Sequence, residues 1–353
     1  MVPNVVLALV ATFSLAPTAT AYTLTDNVTP DNFFPFFDFF TDKDPTNGYV
    51  KFQSGEAAAT SRLAMMATSS NASSVFLGVD QINIINDADL GRPALRLQSK
   101  KTWDKGLFIA DIAHMPGGIC GVWPALWLVG PDWPNQGEVD IIEGVNDQNN
   151  NTMTLHTSAG CRVQNTGFKG KMATSNCDVN DPNQDKNAGC GIHAEDTASF
   201  GQGFNAAGGG VYATEITDAD VKIWFFPRSR IPADITATQP DPSTWGTPSA
   251  AFKGECNISE RLKNLSLVFD TTFCGDWAGK TWSSSSCGAK APTCQAFVKA
   301  NPQAFSEAYW LVNGVRVYQA GSNSTGSSNF TIPATSGPGR RALRRRFSER
   351  LMF

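Results

Sequence analysis

Apolar residues along this chain come in short runs, and no helical period is sustained for long. The segments VFLGV (75–79), LRL (95–97), LFIADI (107–112), VKIWFF (221–226) and YWLVNGVRVY (309–318) have the length and the β-branched or aromatic content of strands. Turn residues separate them, drawn from 31 Gly and 20 Pro. The pattern predicts an all-β fold, a sandwich or jelly roll, for which one large domain is ordinary. A short helix is expected near residues 295–300. No linker or internal repeat interrupts residues 22–319, which are taken as one domain.

The two ends differ from this body. VVLALVA (5–11) is an apolar run of signal-peptide length, and Ala19-Thr20-Ala21 offers a small-residue cleavage site before Tyr22. Residues 1–21 are therefore expected to be a leader for export, too short for a membrane anchor. From 320 onward the composition turns to Ser, Thr, Gly and Asn, then to RRALRRR (340–346), the pattern of a disordered tail.

One stretch breaks the apolar rule. GEVDIIEG (137–144) places Glu138, Asp140 and Glu143 among Val and Ile. On a helix Asp140 would stand roughly 200° and Glu143 roughly 140° from Glu138, scattering the acids. On a strand Glu138 and Asp140 share a face, with Val139 and Ile141 on the other. Glu143 joins them only if one residue is inserted, so a β-bulge is expected near Ile141 or Ile142. Two glutamates so placed can approach the ~5–5.5 Å spacing of a retaining glycosidase pair. The bland alternatives are a solvated acidic loop, which Val139, Ile141 and Ile142 oppose, and a calcium site, for which no EF-hand spacing is present.

Charge and cysteines narrow the setting. The formal net charge is −4, and the last sixteen residues hold six Arg and one Glu, so the rest carries −9. An acidic domain is a poor partner for nucleic acid or an acidic polysaccharide; a neutral substrate fits better. Eight cysteines, an even count in an exported chain, imply disulfides, with 105 pairings open. No C-x-x-C pair or H-E-x-x-H motif calls for a metal, and no G-x-S-x-G elbow for a serine nucleophile. No cofactor is expected. N-x-S/T sequons stand at Asn27, Asn71, Asn150, Asn257, Asn264, Asn323 and Asn329.

Of nine tryptophans, Trp123, Trp127 and Trp133 lead into the acidic strand, and Trp277 lies in FCGDWAG (273–279). An indole suits the CH-rich face of a sugar ring. Trp133, flanked by Pro131-Asp132 and Pro134-Asn135, is expected to project into a cleft, whereas Trp224 in an apolar run belongs to the core. His156, in the alternating segment TLHT (154–157), is placed beside the acidic strand. Arg96, between Leu95 and Leu97, points away from its buried neighbours toward the same face.

With these blocks in hand, the chain resembles glycoside hydrolase family 16, in the manner of the secreted fungal endo-1,3(4)-β-glucanases. The likeness runs from about Phe33 to Tyr318. It is carried by GEVDIIEG and its tryptophan-rich lead-in, supported by FFDFFTDKDPTNGYVKF, LHTSAGC, VKIWFFPRSRIPADI, DPSTWG and TFCGDWAG. The resemblance implies a β-jelly-roll (concanavalin A-like) sandwich with a concave substrate cleft. It also implies Glu138 as nucleophile, Glu143 as acid/base and Asp140 as helper, with His156, Arg96, Trp127, Trp133 and Trp277 lining subsites. The expected substrate is a neutral β-1,3 or mixed β-1,3(4) glucan, handled by a secreted monomer with no membrane span. Transglycosylation in wall remodelling and a non-catalytic glucan lectin on the same fold are the rival readings. The basic tail has no counterpart in the resemblance.

Overall fold

In the computed structural model, residues 22–68, 73–86 and 90–321 are described. The expected leader, nearly all of the expected tail, and Asn71, Asn323 and Asn329 lie outside them. Two antiparallel eight-stranded sheets are present. The first runs, edge to edge, Lys171–Met172, Cys190–His193, Thr152–His156, Glu138–Glu143, Val122–Val129, Leu265–Phe273, Arg96–Trp103 and Phe37–Phe39. The second runs Ala250–Phe252, Val221–Pro227, Gly210–Ile216, Gly106–His114, Trp310–Ala320, Ser73–Leu77 and Ala64–Thr68, with Tyr22–Val28 also paired to Trp310–Ala320. The five apolar segments singled out in the sequence all contribute to this architecture, the antiparallel sandwich of a jelly roll.

Alternation along the first sheet decides what faces the core. Val139 (0% exposed), Ile141 (3%), Leu126 (0%), Leu128 (0%), Leu155 (0%), Leu267 (1%) and Phe269 (0%) join one apolar cluster with Phe108, Ile112, Tyr212, Ile223 and Phe252 from the second sheet. Burial of such side chains stabilises the fold by ~1.5–3 kcal/mol each. The register that buries them sends the intervening residues to the outer face. Trp224 is in the core, as expected, with its indole N–H donating to Gly246 O.

A second apolar cluster lies under the loops: Val50, Phe52, Val122, Phe273, Trp282, Phe297 and Phe305. The helix Cys294–Ala300 belongs to it and starts where the Thr293 hydroxyl accepts from Ala296 N. All eight cysteines are paired: Cys120–Cys287, Cys161–Cys256, Cys177–Cys190 and Cys274–Cys294. Two of these bonds tie the loop cluster together. Among the described residues, no helix is long and apolar enough to cross a membrane. Of the described sequons, Asn27, Asn257 and Asn264 are exposed, while Asn150 is half-buried with its amide donating to Ala194 O.

Candidate active site

The acidic strand, Glu138–Glu143, is flanked by two tight constraints. Gly137 enters it at φ +69°, and a Cβ there would stand 2.5 Å from Leu262 Cδ2 and 2.6 Å from Arg261 O, so only glycine fits. Against Val122–Val129 the pairing reads Asp140↔Trp127 and then Ile142↔Leu126, leaving Ile141 as the extra residue. This is the expected bulge. On the opposite side the ladder with Thr152–His156 ends at Asp140↔Thr154. Beyond that point the amide of Asn151 takes over, accepting from Glu143 N at 2.8 Å and donating to Ile141 O at 2.7 Å.

The bulge brings the acids into one electrostatic group. His156 lies directly opposite Glu138, and its Nε2 stands 3.1 Å from Asp140 Oδ2 and 4.0 Å from Glu138 Oε1. The Trp123 indole donates to Glu143 Oε1 at 2.8 Å. Burial, and then the Asp140 charge, push Glu138 up to about 8, while His156 and a hydrogen bond from Trp133 oppose the rise. Burial lifts Asp140 to about 7; a hydrogen bond from Glu138 lowers it and Asp270 raises it. Glu143 is held well above the usual carboxylate range by burial and then by Asp140, with the Trp123 hydrogen bond pulling the other way.

The roles expected of Glu138 and Glu143, nucleophile and acid/base, require the first ionised and the second protonated. All three acids are displaced in the direction that favours the protonated form, because burial penalises adjacent negative charges.

The other expected residues cluster around this group to differing extents. Trp127 donates its indole N–H to Asp270 Oδ1 at 3.0 Å, and the Arg96 guanidinium carbon lies 4.9 Å from the Trp127 ring and 4.4 Å from that of Phe40. Arg96 is 9% exposed, its Nε is buried without a hydrogen-bond partner, and it pairs across the sheet with Asp270. Trp133 is 40% exposed, unlike the other site tryptophans. Trp277 reaches the group through Trp123, edge-to-face at 5.7 Å. Its segment is tied to the end of the acidic strand by Asn146, whose amide donates to Ala278 O and accepts from Gly121 N.

Three contributors escaped the sequence reading. Asp270 is buried, with burial holding it near 7 against the Arg96 charge; a lone acid in LSLVFDTTF was the available signal. Trp123 was noticed as a neighbour, but its bond to Glu143 depends on the fold. Asn151 sits in an Asn-rich turn whose sequence gives no hint of a bulge. A cavity of about 520 Å³ elsewhere, lined by Phe225, Phe226 and Trp245, contains none of the acids. The acids lie instead on the face of the first sheet.

Fold and site together define a jelly-roll sandwich carrying a carboxylate trio, a histidine and a row of indoles on the outer face of one sheet. The model of the XgeA-like, catalytic GH16 domain matches residues 37–318, and the chain belongs to that family. It is 46% identical over 310 residues to an endo-1,3(4)-beta-glucanase of Arthroderma benhamiae, covering 86% of this chain and 66% of that one. It is 41% identical to the endo-1,3(4)-beta-glucanase xgeA of Emericella nidulans, covering 87% and 49%. The chain thus spans two thirds or less of the curated relatives it matches. Among solved structures, Laminarinase 16A from Phanerochaete chrysosporium, with 6-O-glucosyl-laminaritriose in donor and acceptor sites, superposes at TM-score 0.78. That match has 39% identity and covers 85% of this chain and 100% of that one. An elongating GH family 16 beta-1,3-glucosyltransferase gives the same score at 44% identity, covering 84% and 100%.

Proposed function

We propose that this chain is a retaining endo-β-glucanase that hydrolyses β-1,3 and mixed β-1,3(4) glucans by double displacement. The observation that carries the reading is the Ile141 bulge, which brings Glu143 into one group with Glu138 and Asp140. Glu138, having passed its proton to Asp140, attacks the anomeric carbon while Glu143 protonates the departing glycosidic oxygen. The resulting ester is then opened by water, from which Glu143 takes the proton. His156 steadies the negative charge of the Glu138–Asp140 pair. Trp133, Trp127, Trp277 and Arg96 hold the sugar chain. Carboxyl groups and water suffice, so no cofactor or metal enters.

The family match and the named relatives support a neutral β-glucan as substrate. Four disulfides support an extracellular setting. In this reading residues 1–21 are the leader, 22–319 the catalytic domain, acting as a monomer, and 320–353 the tail. Reducing-sugar release from laminarin and barley β-glucan tests the reading. The wild type should release sugar, Glu138→Gln should release none while still binding glucan, and the first-formed product should be the β-anomer. A wild type that binds but releases nothing is a lectin; near-normal activity in Glu138→Gln removes that residue from the role. The second reading, in which a sugar replaces water as acceptor, has a similar solved structure in the elongating glucosyltransferase, but the names of the curated relatives favour hydrolysis. Products longer than the substrate at high donor concentration would identify that second reading.

A further inference from the structure

We propose that Asn151 is a positioning residue: its side chain holds the Ile141 bulge in place and thereby sets the orientation of the Glu143 carboxyl. The inference rests on the reading of Glu143 as proton donor. Asn151 is fully buried, at 0% exposure, and every polar group it owns is engaged. Its backbone N–H donates to Ser199 Oγ at 3.0 Å and its carbonyl accepts from Ala194 N, fixing the residue from behind. Its amide then meets the two backbone groups that the bulge would otherwise leave unpaired, Ile141 O and Glu143 N–H.

The strand ladder has already ended at Asp140↔Thr154, so the side chain stands in for a missing strand. Only a short side chain with both an acceptor and a donor satisfies this geometry. Ionised aspartate lacks the donor, serine has a single polar atom, and glutamine is a methylene too long. Without the amide, two buried backbone groups lose their partners, and the strand relieves this by straightening. Straightening returns Glu143 toward the opposite face, away from Trp123 and the other acids.

The test separates orientation of the acid from general loss of structure. Asn151→Ala and Asn151→Asp leave the Asn150-x-Thr152 sequon intact. They are assayed beside Ile223→Ala, a core truncation in the opposite sheet. Two substrates are used: laminarin, whose departing sugar hydroxyl needs a proton, and 2,4-dinitrophenyl β-laminaribioside, whose departing phenolate needs none. Asn151→Ala should lose ~10²-fold in kcat/KM on laminarin but less than about tenfold on the aryl glycoside. Azide should raise its turnover of the aryl glycoside by displacing the Glu138 carboxylate without base assistance, giving the glycosyl azide.

Ile223→Ala should show no such divergence between substrates. Asn151→Asp, which still accepts from Glu143 N–H, should lose less on laminarin. Its alkaline limb should move to higher pH, because the new carboxyl, once ionised, disfavours ionisation of Glu143. Should Asn151→Ala fail to fold, the substrate divergence and limb shift of Asn151→Asp decide the matter. Equal losses on both substrates, or no loss on either, overturn the proposal. A wild type inactive on both substrates overturns the glucanase reading itself, which is a different result from an active wild type with evenly impaired variants.

Discussion

Replacing Glu138 with Gln should make the protein more stable at neutral pH and leave it unchanged in acid. In the folded chain Glu138 holds its proton to about 8, against 4.5 for an ordinary glutamate. Below pH 4.5 both folded and unfolded forms are protonated and the group has no effect on stability. Between 4.5 and 8 the unfolded chain has released a proton that the folded chain still binds, so stability falls as pH rises. From 4.5 to pH 7 is 2.5 units, or ~3.4 kcal/mol at 1.36 kcal/mol per unit. The Glu138 side chain keeps 18% of its surface in contact with water, which screens its neighbours, so about 2 kcal/mol is the working figure. Glutamine keeps a donor for Asp140 and carries no ionisable proton. Calorimetry of wild type and variant, with disulfides intact, should give equal Tm values at pH 4.5. At pH 7 the variant should be higher by ~3 °C, the shift that ~2 kcal/mol gives in a domain of about 300 residues. A variant that is less stable than wild type at pH 7, with the gap growing from pH 4.5, would refute the reasoning. That result means His156 and Trp133 already hold Glu138 ionised, and the sign of the linkage reverses.

Trp133→Phe keeps an aromatic platform but loses the N–H that lowers Glu138, so the acidic limb of the pH–rate profile should move to higher pH with little change in KM. Trp133→Ala should also raise KM for laminarin about tenfold, the equivalent of ~1.4 kcal/mol of sugar contact; unchanged KM would place the ring outside the binding path. Removing Cys161–Cys256, a crosslink across 95 residues, should cost ~4–5 kcal/mol, and Cys177–Cys190, across 13, about 3 kcal/mol, both read from non-reducing denaturation. Gly189→Ala should cut kcat at least ~10-fold, because the backbone there is left-handed at φ +57° and the new Cβ would lie 2.6 Å from His156 Nδ1. Retained activity in that variant would show that the His156 ring tolerates displacement.

The linear sequence by itself determined the layer architecture and the identity of the acids. Strand-length apolar runs set apart by Gly and Pro have few ways to bury themselves other than as stacked sheets. E-x-D-x-x-E among β-branched residues predicts a bulge if the three acids are to share a face, since a period of two cannot otherwise bring Glu143 round to the side of Glu138 and Asp140, and the structure has it at Ile141. What only the tertiary structure decided is everything that depends on residues far apart in the chain. The choice among disulfide pairings is one case, because spacing does not fix which loops meet. The Trp127–Asp270–Arg96 group is another, joining three strands that no local pattern connects. Asn151 is the sharpest: in sequence it is one asparagine in a polar turn, and its amide acquires a task only when folding ends a strand ladder beside it. The upward displacement of Glu138 and Asp140 was likewise invisible, because desolvation belongs to the packed protein, not to the residue type.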